Sequence, residues 1–264
     1  MLVDYKGNQT EYFADCVNNT INMMGGGYDW AYFNQKLPKY KRITRVTNII
    51  DLQKTEDEIF SQFNPTCRNE IHKTEKLEDI KINFEAGLEQ ISDITARMFR
   101  SKGLYHVPES EYQIEDETLR YCIVLEWHDI VIAHSYFVDK EHKLVLLRTS
   151  GSEFRGKEQE YKKYYSNLNR YLHWREIQFF KEKGFLYYDF GGLGFLQEYK
   201  SGNSAVQGII KFKESFGGEI KYVYRYEKID YKEEIKKILL FIPMRLVPKR
   251  IKKIIKDIFR RNPQ

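Results

Sequence analysis

Two periods govern where apolar side chains fall along this chain, and they separate its strands from its helices. Residues 43–50 are rich in β-branched side chains and predict a strand. From Thr55 to about Leu77, Ile59, Phe60, Phe63, Cys67 and Ile71 recur at helical spacing, and Pro65 divides the segment in two. Residues 80–84 alternate and predict a strand, whereas Leu88, Ile91, Ile94, Thr95 and Met98 predict a helix stopped by Gly103. Three strands follow at 119–127, 130–139 and 143–149, joined by short turns into an antiparallel meander. A long helix over 164–183 is expected from Leu168, Tyr171, Leu172, Ile177 and Phe180, with Gly184 as its cap. The run 185–190 predicts a strand ending at Gly191 and Gly192, then a helix over 206–216 and a last strand over 219–226. Residues 1–38, rich in Asn and Gly, read as an irregular or partly helical extension. This order implies an α/β (α+β) fold, with a mixed, mostly antiparallel central sheet and helices on both faces. The expected organisation is an extension at 1–42, one domain at 43–230 and a tail at 231–264.

Composition narrows the class. An apolar fraction of 42%, with 17 Phe, 20 Tyr and 3 Trp, suffices for a packed core and excludes a disordered chain. Cys16, Cys67 and Cys122 are an odd, widely spaced set, so neither a disulfide framework nor a zinc ribbon is expected. The six histidines show no ligand spacing, and no metal is expected. No basic segment followed by an apolar run opens the chain, and no long apolar stretch interrupts it. A cytoplasmic protein without a spanning helix is therefore expected.

Charge changes the picture at one end only. The net charge is +5, but residues 232–262 hold eleven basic and three acidic side chains, so the tail carries +8 and the remainder −3. Within it, Ile251, Ile254, Ile255, Ile258 and Phe259 form an apolar stripe opposite Lys252, Lys253, Lys256, Arg260 and Arg261. That is the pattern of an amphipathic basic helix on an anionic membrane surface.

Three segments carry more than a pattern. They are Phe63-Asn64-Pro65-Thr66-Cys67-Arg68-Asn69-Glu70-Ile71-His72-Lys73; the long-helix run from Asn169 through Trp174 to Ile177, continuing to Tyr188-Asp189-Phe190-Gly191-Gly192; and Gly208-Ile209-Ile210-Lys211-Phe212-Lys213-Glu214-Ser215-Phe216-Gly217-Gly218-Glu219. Together they resemble the FemAB group of acyltransferases, which have a GNAT-type fold. The resemblance spans about residues 43–226 and leaves out the N-terminal extension and the tail. Typical members carry two GNAT-like units; this chain has length for one.

The resemblance implies acyl transfer, in a sheet that splays between two central parallel strands, expected here at 144–148 and 185–190. An amine attacking an ester or thioester carbonyl needs an acceptor for its proton, donors for the developing oxyanion, and both reactants held in line. Phe212 and Lys213 occupy the motif's Phe-Lys pair, which implies oxyanion stabilisation by a cation beside an aromatic face, worth about 3 kcal/mol. Asp189 is a candidate base, with capping of the following turn as its alternative. Arg68 and Lys73 are candidates for a phosphate of the acceptor or carrier, unless they are simply solvated. Asn169 and Trp174 match the long-helix motif, although Trp174 also suits the core. Arg148, Gly191 and Gly192 complete the candidate substrate contacts.

No tightly bound cofactor is expected; the acyl donor is a co-substrate. Residues 150–157 lack the glycine loop with which acetyl-CoA enzymes of this fold hold a pyrophosphate, so aminoacyl-tRNA is the donor the resemblance implies. Acyl-CoA and an acyl carrier protein stay open. The expected function is amide formation on a cell-envelope precursor at the inner face of the plasma membrane. The alternatives are a sugar N-acyltransferase of surface-polysaccharide biosynthesis and a catalytically silent scaffold. The tail's own alternatives are docking on the domain and binding tRNA phosphates. Each basic side chain near anionic lipid contributes about 1 kcal/mol, so the tail suffices for reversible attachment. The full chain should pellet with anionic liposomes and a chain lacking 232–264 should stay in the supernatant; equal pelleting would refute the membrane assignment.

Overall fold

The computed structural model describes residues 1–5, 8–101, 103, 112–113, 117–152, 156–201 and 204–230. The strands are β1 (Leu2–Tyr5), β2 (Asn8–Tyr12), β3 (Gly27–Ala31), β4 (Tyr40–Asp51), β5 (Lys81–Asn83), β6 (Tyr112–Gln113), β7 (Arg120–Trp127), β8 (Ile130–Asp139), β9 (Leu144–Ser152), β10 (Tyr187–Phe195) and β11 (Glu219–Lys228). The helices are α1 (Asn19–Met24), α2 (Glu56–Gln62), α3 (Pro65–Thr74), α4 (Leu88–Ser101), α5 (Gln159–Glu182), α6 (Leu196–Ser201) and α7 (Ser204–Glu214). The tail and its predicted amphipathic helix lie outside the described residues.

All the strands join one sheet in the order β5-β7-β8-β9-β10-β4-β11-β3-β2-β1-β6. Among the described strands only β9–β10 and β2–β3 pair in parallel, so the sheet is mixed and mostly antiparallel, as expected. On one face, α2, α3 and α5 bury Ile59, Phe63, Cys67, Ile71, Leu168, Leu172, Ile177 and Phe180 against Ile50, Ile123, Leu125, Tyr136, Val145 and Tyr188 of the strands. On the other face, Ile91 and Ile94 of α4 pack on Cys122, Val124 and Ala133. Alternate residues of β7 thus serve two cores, as the two-residue period requires.

Local chemistry explains the breaks. Thr55 and Glu58 form a capping box that starts α2, and Asn64 caps α3 with Pro65 at its first position. The largest departures from expectation are three. The helix α5 starts at Gln159 because its first turn is polar and exposed, without an apolar period to reveal it. The strand β10 does not end at Gly191 and Gly192 but runs on to Phe195, and α6 follows it directly. The N-terminal segment, expected to be irregular or partly helical, contains the helix α1 but also contributes β1, β2 and β3; β3 pairs with β11 and extends the sheet.

The central parallel contact is short. Tyr187, Tyr188 and Asp189 pair with Leu144, Val145 and Leu146. Beyond it β9 follows β8, with a one-residue bulge at Arg148, and β10 follows β4, with bulges between Asp189 and Gly192 and between Gly192 and Phe195. A bulge twists its strand and re-aims its side chains. Facing bulges on neighbouring strands therefore drive β9 and β10 apart. Gly191 sits at the turning point with φ +70°, and a Cβ there would meet the Leu147 carbonyl oxygen at 2.5 Å. Gly191→Ala should lower stability in urea unfolding by about 3 kcal/mol; a loss below about 1 kcal/mol would refute this account of the bulge.

Candidate active site

Where β9 and β10 separate, a cavity of about 740 Å³ opens. Both faces of the sheet line it. Tyr12, Asp29, Trp30 and Met98 come from one side, and residues of α5 and α7 from the other, with Arg45, Leu146, Arg148 and Gly192 along the strands. Four expected site residues are here beside Gly192: Lys213, Phe212, Asn169 and Arg148.

Lys213 donates from Nζ to the Gly192 carbonyl oxygen at 3.0 Å. Burial lowers its pKa to about 8, against the opposing pull of Asp189. The aromatic partner differs from expectation: the cation over the Phe212 ring is Arg170, at 4.7 Å, itself paired with Glu70 at 3.0 Å. Lys213 is thus oriented by the strand rather than by its neighbour. The helix that carries it ends on Asn48, whose Nδ2 donates to the Lys213 and Gly217 carbonyl oxygens at 3.1 and 2.7 Å.

Asp189 is fully buried and does not line the cavity. Its carboxylate accepts from Trp30 Nε1 at 2.9 Å, from the Gly191 amide at 2.7 Å and from the Thr47 hydroxyl. Burial raises its pKa, opposed by these donors. The arrangement makes it a brace: it fixes the Gly191 turn and holds Trp30, which stands at φ 51°, against the cavity. Arg45 lies over the Trp30 ring at 5.2 Å and faces Asp29 at 3.5 Å.

Four expected contacts are elsewhere. Gly191 is buried at the β10 turn and does not line the cavity. Arg68 Nη1 donates to the Ser61 carbonyl oxygen at 3.0 Å and to that of Phe63, closing the end of α2. Lys73 is exposed on α3 outside the cavity. Trp174 packs between Phe60 and Phe63, with ring centroids 5.1 and 5.5 Å away, and belongs to the core.

Beneath the cavity lies a polar cluster that sequence reasoning missed. Glu176 is fully buried; its oxygens lie 2.9 and 3.0 Å from His134 Nδ1, and one accepts from Tyr136 at 2.6 Å. His173, which lines the cavity, places Nδ1 2.7 Å from the Tyr188 hydroxyl and 3.2 Å from Glu176. A His-x-x-Glu step on the buried face of α5 was the available signal. His134, His173 and Glu176 are metal-ligand types with atoms within 4.8 Å of one another, but here those atoms bond directly to each other and to the tyrosines. Burial pushes the Glu176 carboxyl up, yet the two histidines outweigh it and hold it at about 2; burial pushes His173 down to about 4.

Residues 111–224 match the model of the FemAB family. The matched stretch holds α5, the Asp189 strand and α7, where the resemblance was most specific, so that reading stands. The Arg68 segment and β4 fall outside it. Among solved structures, the C-terminal domain of a putative lysylphosphatidylglycerol synthetase from Agrobacterium fabrum superposes with a TM-score of 0.54 at 11% identity, covering 90% of this chain and 82% of that one. FemX superposes with a TM-score of 0.54 at 10% identity, covering 83% and 69%. These likenesses show a shared fold. No curated protein matches the chain.

Breaking a buried, hydrogen-bonded charge cluster costs about 3–5 kcal/mol, which is the loss expected of Glu176→Ala in urea unfolding. Both shifted groups bind fewer protons folded than unfolded, so both favour folding at neutral pH. The His173 contribution is lost as pH falls from its ordinary 6.5 through about 4, and that of Glu176 from 4.5 through about 2. Acid unfolding should be less steep in Glu176→Gln, and an identical pH profile would contradict this assignment.

Proposed function

We propose that the protein is an amide-forming acyltransferase, moving an acyl or aminoacyl group from an activated donor to an amine of a cell-envelope precursor. The observation that carries this is the Lys213 ammonium, held at Gly192 in a cavity lined from both faces of a divided sheet. Amide formation brings two substrates to one carbonyl carbon, and a cleft lined from both faces suits approach from opposite sides. The amine attacks, negative charge gathers on the carbonyl oxygen, and Lys213 donates to it. Collapse expels the donor's alcohol or thiol, and the proton lost by the amine leaves to water or to the departing group. Placed inside a cavity, the ammonium is screened less than in bulk water, and it needs no reorganisation during the step.

The match to the FemAB family supports aminoacyl-tRNA as donor, and the +8 tail supports work at an anionic membrane surface, where a lipid-linked acceptor is found. Among the described residues no helix is long and apolar enough to cross a membrane.

Lys213→Ala should fold normally and lose about 10²–10³-fold in kcat, measured as transfer of a labelled aminoacyl group from bulk aminoacyl-tRNA to an amine acceptor. The ammonium form is the active one, so wild-type kcat should fall as pH rises through about 8. Unchanged turnover in the variant would remove Lys213 from the reaction. Absence of turnover in the wild type with aminoacyl-tRNA, acyl-CoA and acyl carrier protein donors would favour a silent scaffold.

A further inference from the structure

The hydroxyls and imidazoles around Glu176 can be given their protons one at a time. Its carboxylate faces His134 Nδ1 at 2.9 Å, the Tyr136 hydroxyl at 2.6 Å and His173 Nδ1 at 3.2 Å. Burial works against its charge, but these partners outweigh burial and keep it ionised. An ionised carboxylate only accepts, so Tyr136 gives its one proton to Glu176. The Tyr188 hydroxyl lies 2.8 Å from the Tyr136 oxygen and 2.7 Å from His173 Nδ1. If Tyr188 donated to His173, two hydroxyl oxygens would meet with no proton between them, and a bare Nδ1 would stand against the carboxylate. Tyr188 therefore donates to Tyr136, and His173 donates from Nδ1 to Tyr188. The chain runs one way, from His173 through Tyr188 and Tyr136 to Glu176.

A neutral imidazole with its proton on Nδ1 has a bare lone pair on Nε2. His173 is neutral, because burial, the neighbouring His134 and the Lys213 charge outweigh Glu176 and oppose a second proton. Its Nε2 has no hydrogen-bond partner among the described residues. Nδ1 is turned inward to the cluster, and His173 lines the same cavity as Lys213, so Nε2 is the nitrogen left for that space. The two side chains are close there: the His173 ring lies 5.7 Å from that of Phe212, the residue before Lys213. The cavity thus holds an ammonium that donates and an imidazole nitrogen that accepts. An amine attacking a carbonyl needs both.

We infer that His173 is the proton acceptor of the reaction, its Nε2 taking a proton from the attacking amine and handing it to the departing oxygen or sulfur. The role rests on the acyltransferase reading; the tautomer does not. As the amine nitrogen bonds to the carbonyl carbon, one of its N–H bonds breaks and an Nε2–H bond forms. Collapse then breaks the bond to the leaving group, which carries the proton away as an alcohol or thiol. Between these steps Glu176 stabilises the imidazolium through the hydroxyl chain. The same step puts negative charge beside Lys213, so the cation that opposes protonation of His173 is neutralised as the proton arrives.

Two measurements on the full chain test this. Nitrogen NMR of the isotope-labelled protein at neutral pH should show His173 protonated on Nδ1 and bare on Nε2. His173→Asn puts an amide N–H where Nδ1 stands and nothing where Nε2 stands, so it should keep the near-ultraviolet circular dichroism of wild type. Its kcat for transfer from aminoacyl-tRNA to an amine acceptor should fall about 10²–10³-fold, with KM within about threefold of wild type. A His173 proton found on Nε2 overturns the inference, whether or not the variant folds. So does a folded variant with kcat within about threefold of wild type, an outcome that leaves the acyltransferase reading standing. Wild type that turns over no donor overturns both.

Discussion

The parallel contact between β9 and β10 is three residues long, and the site depends on its being no longer. Each strand keeps its outer neighbour and gives up the inner one: β9 stays with β8 to Ser152, and β10 stays with β4 to Phe195. Bulges on both strands make that possible, because one extra residue bends a strand without ending it. A continuous sheet would have paired these strands throughout and left no room for a ligand. The separation opens a passage through the sheet instead of a groove upon it, so groups from both faces reach one space.

Holding such a gap open requires that its edges be rigid. Asp189 does this for β10, since its carboxylate ties together a turn amide, the Thr47 hydroxyl on β4 and the Trp30 indole on β3. Three stretches distant in sequence thereby share one buried anion. The Glu176 cluster does the same below, tying α5 to β8 and β10 through His134, Tyr136, His173 and Tyr188. Lys213 sits close enough to Asp189 to feel its charge. Its charge, half-buried in the cavity wall, is favoured by that neighbour, and a cation placed this way is suited to meet negative charge as it forms.

Much of this was legible in the residues, and what was not has physical reasons. Periodicity found the meander, α3, α4 and the inner part of α5, where apolar side chains meet a core at fixed intervals. The Gly-Gly pairs marked turning points, and the Phe212–Lys213 motif led to the cavity. Alternation fails in β10 after Asp189 because bulges shift the pleat by one residue, so Gly191–Phe195 did not read as strand. The N-terminal strands are short and diluted by Asn and Gly; β3 finds its partner nearly 200 residues away, in β11. Trp30 joins the cavity only through that pairing, whereas Arg45 reaches it on β4, beside β10, and nothing local announces either as a cavity residue. The pairing of Lys213 with Phe212 was an inference from adjacency, but on a helix successive residues diverge by about 100°. Arg170, approaching from α5, takes the ring instead.

The central claim is that a cation delivered at Gly192 meets charge developing on a carbonyl oxygen. Rescue of Lys213→Ala by added methylammonium, followed as amide formed on the acceptor itself, tests it most directly. A cavity emptied of its ammonium should accept a free one, so turnover should rise with methylammonium concentration and saturate, while wild type is unaffected. A variant that turns over as fast as wild type without methylammonium, or that stays folded and inert at every concentration of it, would contradict the account.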